Sequence, residues 1–209
     1  MTFLYAVRYF HVVPVVPPLF NIAFAVAVAA AAMRLMNDGS AGVDALTPVL
    51  LLQLFVASSG FRFAARRGYY DLLLTSSTPR WQIAFAHCLV SILPGVISWW
   101  CIGALEAAAS RGMGWVWLAP GTCAAFVGAS LLAWSVAAFS SRTAPTVVWL
   151  LVLTIPAIAR VASPVTLLGA TWATADRFIL AALCTTAIIA FGAATASVVR
   201  GSAPLEAAQ

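Results

Sequence analysis

Side chains that carry out chemistry are scarce in this 209-residue chain, and none of them is grouped into a catalytic site. The six acidic residues and the two histidines, His11 and His87, are scattered singly. An active site needs acids, bases or metal ligands that converge on one point. This distribution therefore argues against an integral-membrane enzyme and against a histidine-rich metal site.

All eleven cationic side chains are arginine, because lysine is absent. A phosphate-binding loop, a Schiff base and a Ser–Lys dyad each require a lysine. Any ATP hydrolysis linked to this chain must therefore take place on another polypeptide. We expect no nucleotide-binding domain, cofactor or metal within the chain, and no nucleic-acid partner.

The four cysteines lie inside apolar runs and form no C-x-x-C pair: Cys88, Cys101, Cys123 and Cys184. Buried cysteine behaves as a small apolar residue. No disulfide framework is indicated.

The composition requires lipid as the surrounding solvent. Hydrophobic residues make up 63% of the chain and charged residues 8%, with a mean hydropathy of +1.00. Soluble domains carry roughly 45–50% apolar and about 25% charged residues. A membrane-spanning helix needs about 20 predominantly apolar residues, so residues 1–209 have room for about six spans. We predict an all-α integral membrane protein with a single transmembrane domain.

Six apolar runs are predicted to cross the bilayer: 19–36, 46–61, 81–107, 115–139, 144–161 and 177–199. Pro94-Gly95 predicts a kink in the third run and Pro156 a kink in the fifth, for which Thr143 is the expected cap. The apolar stretch Pro164–Ala175 is too short to cross, so a re-entrant or interfacial piece is expected there. Residues Met1–His11 have the pattern of a helix lying in the headgroup plane. The first run is too long for a cleaved signal peptide.

The arginines indicate the orientation of these spans. With a cytoplasmic N-terminus, the inner side has seven of them: Arg8, Arg62, Arg66, Arg67, Arg80, Arg142 and Arg200. The outer side has four: Arg34, Arg111, Arg160 and Arg177. This asymmetry follows the positive-inside rule. We expect a multi-pass protein of the cell inner or plasma membrane with both termini cytoplasmic.

Positive charge is concentrated in the segment Phe63–Leu89, between the second and third runs. Two arginines, Arg66 and Arg67, precede Gly68 and the amphipathic pair Tyr69-Tyr70. Leucines 72–74 then continue an apolar face, and a hydroxyl-rich turn leads to Pro79, Arg80 and Trp81. The order predicts a helix and turn held at the inner surface by leucines and aromatics. Composition alone is equally compatible with an ordinary positive-inside loop.

This segment resembles the element between the second and third spans of type-2 ATP-binding-cassette (ABC) permeases. That family has "GTLELLL", then a serine/threonine-proline turn and "RWQI". Here the corresponding stretches are 68–76, which reads GYYDLLLTS, and 79–83, which reads PRWQI. Gly68-Tyr69-Tyr70 is also similar to the sterol- and drug-exporting branch. Asp71 takes the place of the usual glutamate, and Ala64 and Ala65 stand where acids are common.

In that family the segment forms the coupling helix, which docks on the ATPase subunit. The resemblance implies a docking role for ten residues: Arg66, Arg67, Gly68, Tyr69, Tyr70, Asp71, Leu72, Thr75, Pro79 and Arg80. It also implies two copies of an ABC ATPase that binds ATP and Mg, and a second permease that is either the same chain or a relative. Membrane lipids are the remaining expected partner.

The family also suggests a substrate cavity between spans two and five of two permeases. Here the lining would come from residues 50–59 and 147–158, which are strongly apolar and favour export of an amphiphilic or lipid-like cargo. The candidates are Gln53, Phe55, Ser58, Ser59, Trp149, Leu153 and Thr154. The in-span residues Asn21 and His87 are expected to hydrogen-bond to a neighbouring helix.

Two other interpretations stay open. The short length and residues 153–156 also resemble the haem-exporter-like permease of cytochrome c maturation, which belongs to the same superfamily. A non-transporting assembly scaffold is also compatible with the composition. Neither the cargo nor the choice between a homodimer and a mixed pair of permeases follows from the sequence.

Overall fold

The computed structural model describes residues 18–38, 42–66, 79–109, 118–139, 143, 146–148, 150 and 177–200. Within these ranges the secondary structure is helical and contains no strand. The five long helices are α1 (Pro18–Asp38), α2 (Gly42–Arg66), α3 (Arg80–Ala109), α4 (Pro120–Phe139) and α5 (Arg177–Arg200). The all-α prediction is confirmed for this part of the chain.

Three of these helices are long and apolar enough to cross a bilayer, over Leu19–Asn37, Arg80–Ala109 and Thr122–Phe139. Two shorter apolar stretches, Leu46–Gly60 and Cys184–Ala196, lie within α2 and α5. At 1.5 Å per residue α3 is about 45 Å long, compared with about 30 Å for the hydrocarbon core. The structure therefore supports a membrane protein.

The helices coincide with the predicted runs, but several ends differ. The second helix extends from Gly42 to Arg66, beyond the predicted 46–61 at both ends. The fourth described helix begins at Pro120, where the Ala119 carbonyl accepts a bond from the Cys123 amide, at 3.0 Å; the predicted start at 115 lies outside the described residues. Proline is favoured at this first position because its missing N–H would have no partner there.

Of the predicted fifth run, only the turn at Thr146–Val148 and Leu150 is described. The Val147 amide donates to the carbonyl of Thr143, at 3.0 Å, so a helical turn starts where the cap was predicted. The interfacial helix at 1–11, the kink at Pro156 and the piece at 164–175 lie outside the described residues.

Helix α3 carries small polar residues on its buried side and a row of apolar residues on its exposed side, as expected where lipid surrounds the helices. On α3 the buried face carries His87, Ser91, Gly95 and Ser98. The opposite face has exposed apolar side chains at every third or fourth residue: Trp81, Phe85, Leu89, Leu93, Ile97 and Trp100. The α3 helix packs against each of the other four, and α4 packs most extensively against α5 and α2.

Candidate functional site

Helices α2 and α3 are antiparallel neighbours, so the predicted docking segment joins two helix ends on the same side of the protein. Gly60 on α2 approaches His87 on α3, and Gln53 approaches Gly95. Residue numbers thus rise along one helix as they fall along the other. This register brings Arg66, the last residue of α2, level with Arg80, the first residue of α3.

The same end of the protein is rich in arginine. Arg62 and Arg66 lie in the last two turns of α2, and Arg80 opens α3. Helix α4 is antiparallel to α3, because Trp134 contacts His87 while Phe126 contacts Trp99. The Phe139 end of α4 therefore lies on this side too. This clustering of arginines is typical of a cytoplasmic face.

The structure places three of the ten predicted docking residues. Arg66 ends α2, Arg80 begins α3, and the Pro79 carbonyl accepts hydrogen bonds from the amides of Gln82, at 2.9 Å, and Ile83, at 3.3 Å. Pro79 thus initiates α3. The other seven lie outside the described residues: Arg67, Gly68, Tyr69, Tyr70, Asp71, Leu72 and Thr75.

Four of the predicted cavity residues are on α2, and in the single chain they pack against neighbouring helices. Gln53, Ser58 and Ser59 are buried. Phe55 is partly buried, with its ring centroid 5.6 Å from that of Phe20 on α1. Their contact with a substrate stays a prediction. Trp149, Leu153 and Thr154 lie outside the described residues.

His87 lies on α3 and bonds to a neighbouring helix, as predicted. The Trp134 indole Nε1 donates to His87 Nδ1 at 3.1 Å. Because Nδ1 accepts, the ring proton lies on Nε2 and the imidazole is neutral. Nε2 lies toward Gly60, where a Cβ would come within 3.4 Å of it. His87 therefore links α2, α3 and α4.

A second contact joins α2 to α3 at Pro94. Proline lacks the N–H that would bond to the carbonyl one turn earlier, yet α3 continues through it. Gln53 Nε2 donates to the nearby Ser91 carbonyl at 3.3 Å, and the Ser98 hydroxyl donates to the Pro94 carbonyl at 2.9 Å. The Gln53 amide lies where a Cβ at Gly95 would be.

These polar contacts require neither charge nor metal. The described residues contain no group of three or more side chains that could hold a metal ion. Buried serines on α3 and α4 donate to the carbonyl four residues earlier, as Ser91 does to His87 at 2.8 Å and Ser130 does to Phe126 at 2.9 Å. The arrangement can pack three helices together and position the α2–α3 connection.

Comparison of the chain with protein-family models, curated proteins and solved structures finds no match to any of them. The likeness to type-2 ABC permeases therefore depends on the residues of segment 68–83 and on the helices that flank it.

Proposed function

We propose that this chain is the membrane-spanning permease subunit of a type-2 ABC exporter. The observation that carries the proposal is the Gly68–Ile83 pattern, which connects same-side ends of two packed, antiparallel helices in an arginine-rich region. When ATP closes a separate pair of ATPase subunits, that closure would press on this connection. Since α2, α3 and α4 meet at His87, the push would reach three helices together.

The proposed topology has six spans with both termini in the cytoplasm. In support, α1, α3 and α4 have membrane-spanning length and composition, and the helical turn that begins after Thr143 lies in the predicted fifth run. One such domain cannot enclose an alternating-access path, so a second permease completes the transporter. Among the described buried residues Glu106 is the one charged side chain, which favours an amphiphilic or lipid-like cargo over an ion or sugar.

The haem-exporter-like permease is the alternative within the same fold, since only the cargo differs. An assembly scaffold is the alternative from another class. Neither is favoured by a specific observation in the described residues.

The proposal predicts which polypeptide accompanies the chain. We expect an affinity-tagged form of this chain, purified in mild detergent, to co-purify with an ATPase that carries a phosphate-binding loop and hydrolyses ATP. Asp71→Arg, which reverses the charge at the docking segment, should uncouple ATP hydrolysis from export of the cargo in reconstituted vesicles. Asp71→Glu, which restores the family's residue, should leave coupling unchanged.

Membrane insertion is the control for this experiment, and it should be equal in both variants. A Gly68→Pro change provides a second test of the segment, because proline removes an N–H and fixes φ. Normal export by Asp71→Arg and Gly68→Pro vesicles would show that the segment is not the coupling element. A purified assembly without any ATPase would instead favour the scaffold.

Orientation gives an independent prediction. In a variant whose four native cysteines are replaced by alanine, a cysteine introduced at Gly68 should resist a membrane-impermeant thiol reagent added outside intact cells and react after the cells are opened. One introduced at Gly39, in the predicted outer loop between the first two spans, is the matched position and should react from outside. The reverse pattern would invert the topology and remove the docking assignment.

A further inference from the structure

Helix α3 has a weak point near its middle. Pro94 lies inside the helix and has no N–H to donate to the Val90 carbonyl one turn earlier. The next residue is Gly95, which adds backbone freedom. The Ser98 hydroxyl donates to the Pro94 carbonyl at 2.9 Å, and serine bonds of this kind often bend helices. The helix therefore divides into a first half, residues 80–93, and a second half, residues 95–109.

Helix α2 contacts α3 closely at two points, one on each side of Pro94. Before the proline, His87 lies against Gly60, where an added Cβ would be 3.3 Å from His87 Cε1. After the proline, Gly95 admits the Gln53 side chain, which fills the place of a Cβ. In each contact a glycine on one helix receives a side chain from the other. The stretch of α2 between the two points contains no proline, so α2 supports both halves of α3.

Helix α2 is also better placed than its neighbours to hold the two halves in line. Among the other four described helices, α3 packs most extensively against α2 and least extensively against α4. The second half meets α4 through aromatic rings, with the centroids of Trp99 and Phe126 4.6 Å apart. Ring contacts of this kind can repack when helices slide past one another. The glycine contacts on α2 instead bring the two backbones close together.

The two contacts with α2 differ in how firmly they are held. His87 is also bonded to α4, because the Trp134 indole donates to its Nδ1 at 3.1 Å. Gln53 Nε2 donates to the Ser91 carbonyl at 3.3 Å, which is long for an N–H···O bond, usually about 2.9–3.0 Å. Gln53 Oε1 is buried and has no hydrogen-bond partner among the described residues. The contact at Gly95 is therefore the one that releases first.

We propose that Gln53 is a releasable brace for a hinge in α3 at Pro94. With Gln53 seated against Gly95, as in this structure, the two halves of α3 move as one helix. When Gln53 leaves, the second half bends relative to the first, which stays joined to α2 and α4 through His87. A bend of about 20° would move Ala104, about 15 Å beyond Pro94, by about 5 Å. The hinge belongs to the chain itself, so this proposal and the proposed transport function can fail independently.

Spin-label distances in lipid nanodiscs would detect the hinge. In a full-length variant with the four native cysteines replaced by alanine, one label is placed at Ile188, which is exposed on α5. The second label is at Ala104 for the second-half pair or at Trp81 for the first-half pair, and both positions are exposed on α3. We expect pulsed electron paramagnetic resonance to give one narrow distance distribution for each pair in this parent.

Gln53→Met keeps the length of the side chain and removes the amide. We expect it to shift or broaden the second-half distance by about 5 Å and to leave the first-half distance unchanged, because only the second half is released. Gly95→Ala displaces Gln53 by another route and should have the same effect, so it replaces Gln53→Met if that variant does not fold. Gln82→Met is the matched control, since Gln82 lies in the first turn of α3, and both distances should stay as in the parent.

Restoring the backbone donor locates the effect. Pro94→Ala supplies the missing N–H, so Gln53→Met combined with Pro94→Ala should return the second-half pair to the narrow parent distance. Thermal unfolding shows which variants are folded. A parent-like second-half distance in folded Gln53→Met would overturn the proposal. Equal broadening of both pairs would also overturn it, and so would broadening that persists in the double variant, because the loosening would then not lie at Pro94.

Discussion

Replacing Trp134 with alanine should destabilise the protein by about 3–5 kcal/mol, the range measured for removal of buried tryptophan side chains. Trp134 is completely buried on α4. Its indole donates to His87 on α3, and its ring centroid lies 5.5 Å from that of Phe191 on α5. Truncation therefore leaves a cavity between three helices and removes a hydrogen bond. Thermal unfolding in detergent, followed by near-UV circular dichroism, would measure the loss.

Trp134→Phe keeps an aromatic ring at this position and removes the hydrogen-bond donor. Interhelical hydrogen bonds in one membrane protein average about 0.6 kcal/mol, with a maximum of about 1.7. The phenylalanine variant also loses part of the indole packing, so we expect a loss larger than this value but smaller than that of Trp134→Ala. Trp100→Ala is the matched control, because Trp100 is 57% exposed on α3. An equal loss in Trp100→Ala and Trp134→Ala would contradict the assigned packing.

Gly95→Ala should be the second most damaging of these substitutions, at about 1–3 kcal/mol, the usual cost of inserting a methyl group into a filled site. The added Cβ would overlap the Gln53 amide and lie 2.8 Å from Gln53 Cγ. Gln53 is fully buried, and its amide nitrogen bonds to the Ser91 carbonyl. The side chain must therefore swing away and give up that hydrogen bond. Thermal unfolding in detergent, followed by near-UV circular dichroism, would measure the stability that Gly95→Ala loses.

Gly192→Ala provides the matched control, since a Cβ there would meet no atom within 4 Å. Alanine is the better helix former, so this change should be neutral or slightly stabilising. In a Gln53→Ala background, Gly95→Ala should cost much less than in the parent, because the overlapping side chain is gone. Additive losses in the double variant would show that Gly95 and Gln53 do not interact.

The apolar runs were sufficient to place α1, α3 and α5 within two residues of their ends, because polar or charged residues such as Asn37, Arg80 and Arg200 bound these runs. The end of α2 was less predictable. Hydropathy falls at Arg62, but helix geometry does not depend on hydropathy, and α2 continues to Arg66. The start of α4 at Pro120 follows from local cap chemistry, which a hydropathy pattern does not contain.

The contacts around His87 illustrate what sequence could and could not predict. A histidine in an apolar run must find a partner, and that requirement is visible in the sequence. The partner is Trp134, which is 47 residues away along the chain. No local spacing links the two, because the pairing depends on how α3 and α4 pack. Gly95 was predicted only as part of a kink, although its lack of a Cβ is what admits Gln53.

The length of α3 has a mechanical consequence. A helix of about 45 Å tilted by about 20° still spans about 42 Å, which exceeds the hydrocarbon thickness by about two turns. If the surplus is at its start, Arg80 and the exposed Trp81 stand in the headgroup layer or beyond. A force applied to this overhang acts far from the centre of the bilayer. A small sideways displacement at the membrane surface would therefore tilt the whole α3 helix within the bilayer.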